Sequence, residues 1–161
     1  MLGAAQRQWF IDAVQKSDAV WKIVVSSVTL SYQTRDGWAR KRGKSPAQEA
    51  PGFETELTSI LKRFRDKGVK NLVWLTGDIH QAQAIRYTPW PGFITYEFTA
   101  GPLSASTGRP RPLSSTLSPV TLFAKGDFLN FAQVAVDARG LTVKIYDATG
   151  TVHYEQTFPP E

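Results

Sequence analysis

The sequence predicts an α/β fold that ends in an antiparallel β-meander. An amphipathic segment from Phe53 to Phe64 lies between two short apolar runs, which is the order of a strand–helix–strand crossover in a parallel sheet. The C-terminal part holds three strand-like stretches separated by two turns that end in glycine. These stretches are residues 130–137, 141–147 and 151–158. The 161 residues are enough for one domain with a buried core.

The composition is that of a folded globular protein and limits the available chemistry. Hydrophobic residues make up 42% and charged residues 20%, which excludes a collagen, a coiled coil and a disordered tail. The absence of cysteine excludes disulfides, cysteine zinc sites, iron–sulfur clusters and a thiol nucleophile. Because His80 and His153 are the only histidines, one copy of the chain cannot build a metal site mainly from histidines. We expect no membrane span, since no apolar run reaches about 18 residues, and the N-terminus lacks the pattern of a signal peptide.

The positive charge is concentrated in one segment. Nineteen Lys and Arg against fourteen Asp and Glu give a net charge of +5. Five of the basic residues lie beside the single acid Asp36: Arg35, Arg40, Lys41, Arg42 and Lys44. Such a patch recruits a phosphate-bearing substrate or is a solvated, mobile insertion, and we favour the insertion. Its aromatic residues are few, so a nucleic-acid platform is not indicated.

The first three elements follow from local patterns. Residues up to Lys16 predict a helix with two i, i+4 apolar pairs, formed by Trp9, Phe10, Ala13 and Val14. Residues 21–28 are short, β-branched and nearly all apolar, which predicts a strand covered on both faces. Residues 31–52 contain several glycines and prolines and predict a long loop that holds the basic patch.

The next elements complete the crossover. Apolar residues at helical spacing predict an amphipathic helix closed by Gly68; they are Phe53, Leu57, Ile60, Leu61 and Phe64. Residues 69–76 predict a buried strand, and two further strands at 82–87 and 94–99 surround a turn. Residues 101–120 are rich in proline and predict an irregular excursion. We therefore expect one domain over 1–161, with an α/β part at 1–80 and a mainly β part at 81–161.

The sharpest chemical feature is the sequence Thr76-Gly-Asp-Ile-His80 at the end of the buried strand. The carboxyl ends of strands in α/β sheets are where ligands bind. In an extended segment Asp78 and His80 point to the same side and can reach one metal centre or two adjacent ones. Gly77 lets the backbone bend and approach closely. A carboxylate with an imidazole suits iron, zinc or manganese, whereas a turn aspartate and a structural histidine are the alternative interpretation.

The other candidate residues carry weaker signals. Arg86 and Tyr87 follow the motif and have two interpretations, contact with a phosphate oxygen or strand pairing. His153 is expected to be a cross-strand surface residue. Ser104 and Ser106 lack a Gly-X-Ser-X-Gly elbow, which argues against a serine hydrolase. The sequence has no Gly-rich phosphate loop.

Four segments together resemble the alkaline phosphatase D-type (PhoD-like) metallophosphoesterases. They are residues 2–10 (LGAAQRQWF), 21–25 (WKIVV), 71–80 (NLVWLTGDIH) and 97–105 (EFTAGPLSA). The resemblance implies the C-terminal half of an αββα sandwich that hydrolyses phosphate mono- or diesters. It also implies that Asp78 and His80 are ligands of a dinuclear centre of Fe, Ca, Mn or Zn. Many members carry an asparagine where this chain has Ser26 and Ser27, which are therefore candidates for phosphate contact, as is Arg86.

The resemblance also implies what this chain needs from elsewhere. The family's other metal ligands lie upstream of the first helix, so the partners are the missing N-terminal half or a second copy of the chain. A missing partner sheet predicts an exposed apolar sheet face and homo-oligomerisation. The family resemblance suggests an exported protein, periplasmic or extracellular. The alternative functions are a truncated non-catalytic remnant and a phosphate- or polyanion-binding module that works through residues 35–44.

Overall fold

Two helices cover one face of a five-stranded mixed sheet, and a three-stranded antiparallel sheet covers the other face. This computed structural model describes residues 1–40 and 52–161. The helices are α1 (Ala4–Lys16) and α2 (Glu54–Asp66), and a 3-10 turn spans Ser115–Leu117. The strands are β1 (Lys22–Ser26), β2 (Leu72–Thr76), β3 (Ala82–Trp90), β4 (Phe93–Thr99), β5 (Pro119–Lys125), β6 (Asn130–Asp137), β7 (Gly140–Asp147) and β8 (Val152–Phe158).

The larger sheet brings the ends of its parallel strands to one edge. Its order is β1-β2-β4-β3-β5, and β1, β2 and β4 are parallel to one another. The last residues of these three strands, Ser26, Thr76 and Thr99, are register partners in a single row. The loops that follow them therefore begin side by side.

The helix layer confirms the predicted crossover. Four side chains of α2 are almost completely buried, and they join Leu72, Trp74 and Tyr87 of the sheet in the main core. The four are Leu57, Ile60, Leu61 and Phe64. Gly68 closes the helix with a φ of 66°, as the sequence predicts.

The terminal meander packs as a second sheet on the opposite face. Val73, Ala84 and Phe98 of the larger sheet contact Leu141, Val143 and Phe158 in a second core. The three meander strands confirm the prediction almost residue for residue. The expectation of a broadly exposed sheet face is wrong, because the meander covers β2, β3 and β4.

The edge strand β1 carries two exposed apolar side chains. Ile23 is 43% exposed and Val25 is 79% exposed, so the predicted coverage of this strand on both faces is wrong. The cause is the position of β1, which pairs only with β2 at the end of the sheet. Trp9, one of the predicted paired residues of α1, is also 67% exposed, whereas the helix buries Ile11 and Val14.

Three further strands differ from the sequence prediction. Strand β5 begins inside the stretch predicted as irregular. Pro119 opens an edge strand there, one of the few places where a residue without a backbone N–H fits a sheet. Strands β3 and β4 also extend further than predicted, because the connecting turn needs only Pro91 and Gly92, whose φ is 75°.

The described part of the predicted loop 31–52 is anchored. Trp38 is 3% exposed and belongs to the main core, and Tyr32 is 5% exposed. Residues 31–40 are therefore not a solvated insertion. Lys41, Arg42 and Lys44 of the basic patch lie outside the described residues. No helix within 1–40 or 52–161 is long and apolar enough to cross a membrane.

Candidate functional site

The candidate site lies where β1, β2 and β4 end. Ser26, Thr76 and Thr99, the last residues of the three strands, lie side by side at this edge. Three segments leave it: 27–40 after β1, 77–81 after β2 and 100–114 after β4. The carboxyl edge of parallel strands is a common ligand position, which agrees with the location predicted from the motif.

Asp78 and His80 lie in the segment after β2 in a bent conformation. Their φ angles are 74° and 55°, and Ile79 between them is 7% exposed. The backbone is therefore not extended, and the argument that places both side chains on one side of a strand is wrong. The Ile79 N–H donates to the carbonyl of Gly77 at 3.0 Å, which closes a tight turn. Both candidate ligands are exposed, while buried Ile79 anchors the turn.

Left-handed backbone at two non-glycine residues is a feature of functional loops. Such conformations cost about 1 kcal/mol or more each and persist only where the surroundings impose them. Gly77, in contrast, has no positive φ, and a Cβ there would meet nothing within 4 Å. The predicted role of Gly77 in close approach is therefore wrong. The bend is carried by Asp78 and His80 themselves.

The segment 101–108 packs against this turn. The Gly108 N–H donates to the carbonyl of His80 at 2.6 Å. A Cβ at Gly108 would lie 2.8 Å from the carbonyl oxygen of Ile79, so the close approach requires glycine here. The Ser106 hydroxyl lies 3.4 Å from Nδ1 of His80. The sequence offers Ser106 only as a candidate nucleophile, and no local pattern predicts that it lies beside His80.

Gly126 and Asp127, in the connection between β5 and β6, contact the end of segment 101–108. The Asp127 N–H donates to the carbonyl of Gly108 at 3.0 Å. Gly126 has no room for a side chain, because a Cβ would lie 2.1 Å from the same carbonyl oxygen. Arg109 pairs with Asp127 at 2.7 Å. The far end of the segment is therefore fixed to the start of the meander.

A buried carboxylate lies beneath the strand ends. Glu97 of β4 is 0% exposed, and its Oε1 accepts from the backbone N–H of Leu30 at 2.9 Å and from the Thr76 hydroxyl at 3.0 Å. The Tyr87 hydroxyl donates to its Oε2 in a very short hydrogen bond. The Thr76 and Thr99 hydroxyls lie 2.6 Å apart, and Thr99 donates because Thr76 gives its proton to Glu97.

Burial sets the protonation behaviour of this pair. Burial raises the pKa of Glu97, while the hydrogen bonds from Tyr87, Leu30 and Thr76 act in the opposite direction. Burial, with the neighbouring carboxylate, raises the pKa of Tyr87 well above its ordinary value. The sequence reasoning missed Glu97 as a functional candidate. Its one signal was an acid inside an otherwise uncharged strand.

The structure places Ser26, the last residue of β1, and Ser27, which follows it, at the same edge as Asp78. Ser26 is part-buried and its hydroxyl donates to the carbonyl of Val28 at 2.7 Å, so its proton is already used in this conformation. Ser27 is exposed. Both serines line a groove of about 550 Å³ between α1 and β1, whose lining does not include Asp78 or His80.

Arg86 is not brought to this edge. It pairs with Tyr96, which in turn pairs with Val73, three residues before Thr76. At about 3.3 Å per residue it lies about 10 Å from the row of strand ends. Arg86 also shares the face of Ala84 that packs on the meander, and its buried Nε has no hydrogen-bond partner.

The ligand inventory around Asp78 and His80 is short. Within residues 1–40 and 52–161, no group of three or more His, Cys, Asp or Glu side chains could hold a metal ion. The carboxylate and imidazole are the right donor types for Fe, Mn or Zn, but a closed site takes about four donors. A metal held by Asp78 and His80 would therefore need further donors.

Comparison with known proteins identifies the class. A model of a phosphatase family matches residues 1–147, so this is a phosphatase-family protein of mixed α/β fold. The model is that of the PhoD-like phosphatases, and the chain belongs to that family, which confirms the resemblance in the sequence.

A solved structure gives the same fold. The protein in "Structure of PhoD" superposes with a TM-score of 0.52 at 15% identity, over 98% of this chain and 36% of that chain. This chain therefore spans about a third of the length of that protein. No curated protein matches the sequence.

Proposed function

We propose that this chain carries part of the active site of a metal-dependent phosphate ester hydrolase, with Asp78 and His80 as metal ligands. The observation that supports the proposal most is the exposure of this Asp-X-His pair at the carboxyl end of β2 in a PhoD-like chain. The substrate would be a phosphate mono- or diester. Fe, Ca, Mn and Zn are the candidate metals, in a dinuclear centre.

The chain's own residues support such a role. Asp78 would offer a carboxylate oxygen and His80 an imidazole nitrogen. The contact between Ser106 and Nδ1 of His80 leaves Nε2 as the nitrogen for a metal, in the way that second contacts usually orient a ligating histidine. A bound metal pair would activate water and stabilise charge on the phosphate. The exposed Ser27 would contact a phosphate oxygen. The Ser26 hydroxyl would have to break its hydrogen bond to the Val28 carbonyl before it could do the same.

We further propose that the remaining donors come from the rest of a PhoD-length polypeptide, which joins the sheet at β1. Two observations support this occupant. The solved PhoD chain is much longer than this one, and β1 leaves a strand edge, Val25 and the groove beside α1 uncovered. An added strand would cover that edge and bring new loops beside Ser27 and Asp78.

Metal binding tests the proposal. Purified protein is titrated with Mn²⁺ by calorimetry, and hydrolysis of a chromogenic phosphodiester is followed with Mn²⁺, Fe³⁺ or Ca²⁺ present. The combined change Asp78→Ala with His80→Ala should abolish Mn²⁺ binding and any turnover. Asp66→Ala, which removes an exposed carboxylate of α2, is the matched control and should bind as the wild type does. Unchanged Mn²⁺ affinity in the double variant would contradict the assignment.

The short ligand inventory favours a second candidate, a non-catalytic phosphate-binding remnant. Mn²⁺ binding without turnover, in both the chain alone and the chain mixed with an added N-terminal half, would favour it. A polyanion-binding role of residues 35–44 would use the exposed Arg35 and Arg40. Affinity for a phosphorylated ligand that does not fall with added salt would argue against that role.

A further inference from the structure

We infer that Glu97 is a positioning residue that holds the two site segments in a fixed relation to each other. The inference rests on the proposed function, because it concerns the segments that carry Ser26, Ser27, Asp78 and His80. Its basis is one carboxylate that receives hydrogen bonds from three different elements.

Each of the three contacts fixes a different part of the site. Leu30 belongs to the segment after β1, so its N–H bond ties that segment to the sheet. Thr76 is the last residue of β2, one residue before the turn that holds Asp78 and His80. Tyr87 of β3 fixes the carboxylate from the other side. The segments after β1 and β2 are thus joined through one buried group.

The chemistry of the contact favours this role over simple core filling. A buried carboxylate is costly unless donors surround it, and an apolar side chain would pack in the same volume without that cost. The donors are all from different elements, and two of them share Oε1. Thr99, the last residue of β4, extends the hydrogen-bonded chain through Thr76. Glu97 therefore fixes the segment after β1 and the end of β2 relative to β4, and an apolar residue could not form these bonds.

A matched pair of threonine substitutions separates positioning from stability. Thr76→Val cuts the link from Glu97 to β2 and keeps the side-chain volume. Thr95→Val makes the same change two residues before Glu97 on the same face of β4. Thr95 is 0% exposed and donates to the carbonyl of Leu72 at 2.8 Å. Leu72 is the first residue of β2, at the opposite end of that strand from Thr76. Thr76→Val loses the part-buried hydrogen bonds to Glu97 and to Thr99, whereas Thr95→Val loses one fully buried hydrogen bond. Only Thr76 contacts Glu97 next to the site.

The readout is amide hydrogen exchange of the full chain, followed by NMR, with unfolding in urea to measure global stability. Thr76→Val should raise the exchange rate of the Ile79 amide at least tenfold. Glu97→Leu should raise those of Ile79 and Leu30 together. In Thr95→Val, the exchange rates of the Ile79 and Leu30 amides should stay within about twofold of the wild-type rates, after correction for any change in global stability. If Glu97→Leu does not fold, Glu97→Gln, which lacks the second acceptor oxygen for Tyr87, gives the milder comparison.

Equal effects of Thr76→Val and Thr95→Val, or no change at Ile79 and Leu30, would overturn the inference. Mn²⁺ affinity of the same variants supplies the second readout. Thr76→Val should weaken it more than Thr95→Val does. If the wild type binds no Mn²⁺ while the exchange pattern appears as expected, the proposed metal chemistry fails and the positioning role of Glu97 stands. If the wild type binds Mn²⁺ and the variants show no change in amide exchange at Ile79 and Leu30, the proposed metal site stands and the positioning role of Glu97 fails.

Discussion

Asn130 forms two hydrogen bonds with the backbone of Gly101. The Gly101 N–H donates to Oδ1 of Asn130 at 2.8 Å, and Nδ2 of Asn130 donates to the Gly101 carbonyl at 2.7 Å. Asn130 begins β6 of the smaller sheet, and Gly101 lies just beyond the end of β4 in the larger one. One side chain, 1% exposed, therefore joins the two sheets at the base of segment 101–108.

Asn130→Ala should lower the free energy of unfolding by about 2 kcal/mol or more, because it leaves the N–H and the carbonyl of Gly101 without a hydrogen-bond partner. Urea denaturation followed by circular dichroism measures the change. Gln133→Ala, on the same strand, removes one exposed contact with Tyr146 and should cost less than about 0.5 kcal/mol. Similar losses of unfolding free energy in the two variants would show that the hydrogen bonds to Gly101 do not stabilise the protein.

Gly126→Ala should destabilise the protein more than Gly77→Ala. A Cβ at Gly126 would lie 2.1 Å from the carbonyl oxygen of Gly108, whereas a Cβ at Gly77 meets nothing within 4 Å. The first change must move segment 101–108 away from His80, and the second should stay within about 0.5 kcal/mol of the wild type. Melting temperatures of the two variants decide between them. A Gly77→Ala protein as unstable as Gly126→Ala would contradict the bend seen here.

The stability contribution of Glu97 should fall as pH rises. Burial raises its folded-state pKa above the ordinary value of 4.5, so the folded protein holds this proton more tightly than the unfolded chain does. The contribution is therefore complete below pH 4.5 and is lost as pH rises through the folded-state pKa. We therefore expect the wild type to lose stability relative to Glu97→Gln as pH rises from 4 to neutral. A difference that grows in favour of the wild type would contradict the direction of the shift.

Asp147 should contribute to stability in the opposite direction. The hydrogen bond from the Thr149 hydroxyl, followed by that from His153, holds the pKa of Asp147 below its ordinary value of 3.8. The contribution is present above pH 3.8 and is lost as pH falls through the folded-state pKa. Urea denaturation below pH 4 should therefore show a steeper loss for the wild type than for Asp147→Asn. Parallel curves would show that this turn does not titrate with folding.

Val25→Lys should leave the fold intact, whereas Val73→Lys should abolish it. Both valines lie in apolar strands that the sequence predicts as buried, yet Val25 is 79% exposed and Val73 is 0% exposed. A lysine at the first position reaches water, while one at the second buries an unpaired charge between the two sheets. Thermal unfolding of each variant measures the difference. Loss of folding in Val25→Lys would mean that β1 is covered in solution.

Local patterns were sufficient for most of the regular elements. The period of the apolar residues gave α2, and the alternation and Gly-ended turns gave β6, β7 and β8. Strand β5 was missed because Pro119 and the preceding prolines resemble a loop in sequence. Whether a short apolar strand lies at an edge or in the centre depends on its neighbours, which is why β1 was wrongly expected to be covered on both faces.

The sequence by itself determined the family, the crossover and the position of Asp78 and His80 after β2. The tertiary structure decided what surrounds them: the left-handed turn, Ser106 beside His80, and Glu97 beneath the strand ends. The physical reason is that periodicity records which side of an element is apolar but not which distant residues meet it. Leu30 and Glu97, 67 positions apart, become partners only when β1 and β4 flank β2 in one sheet.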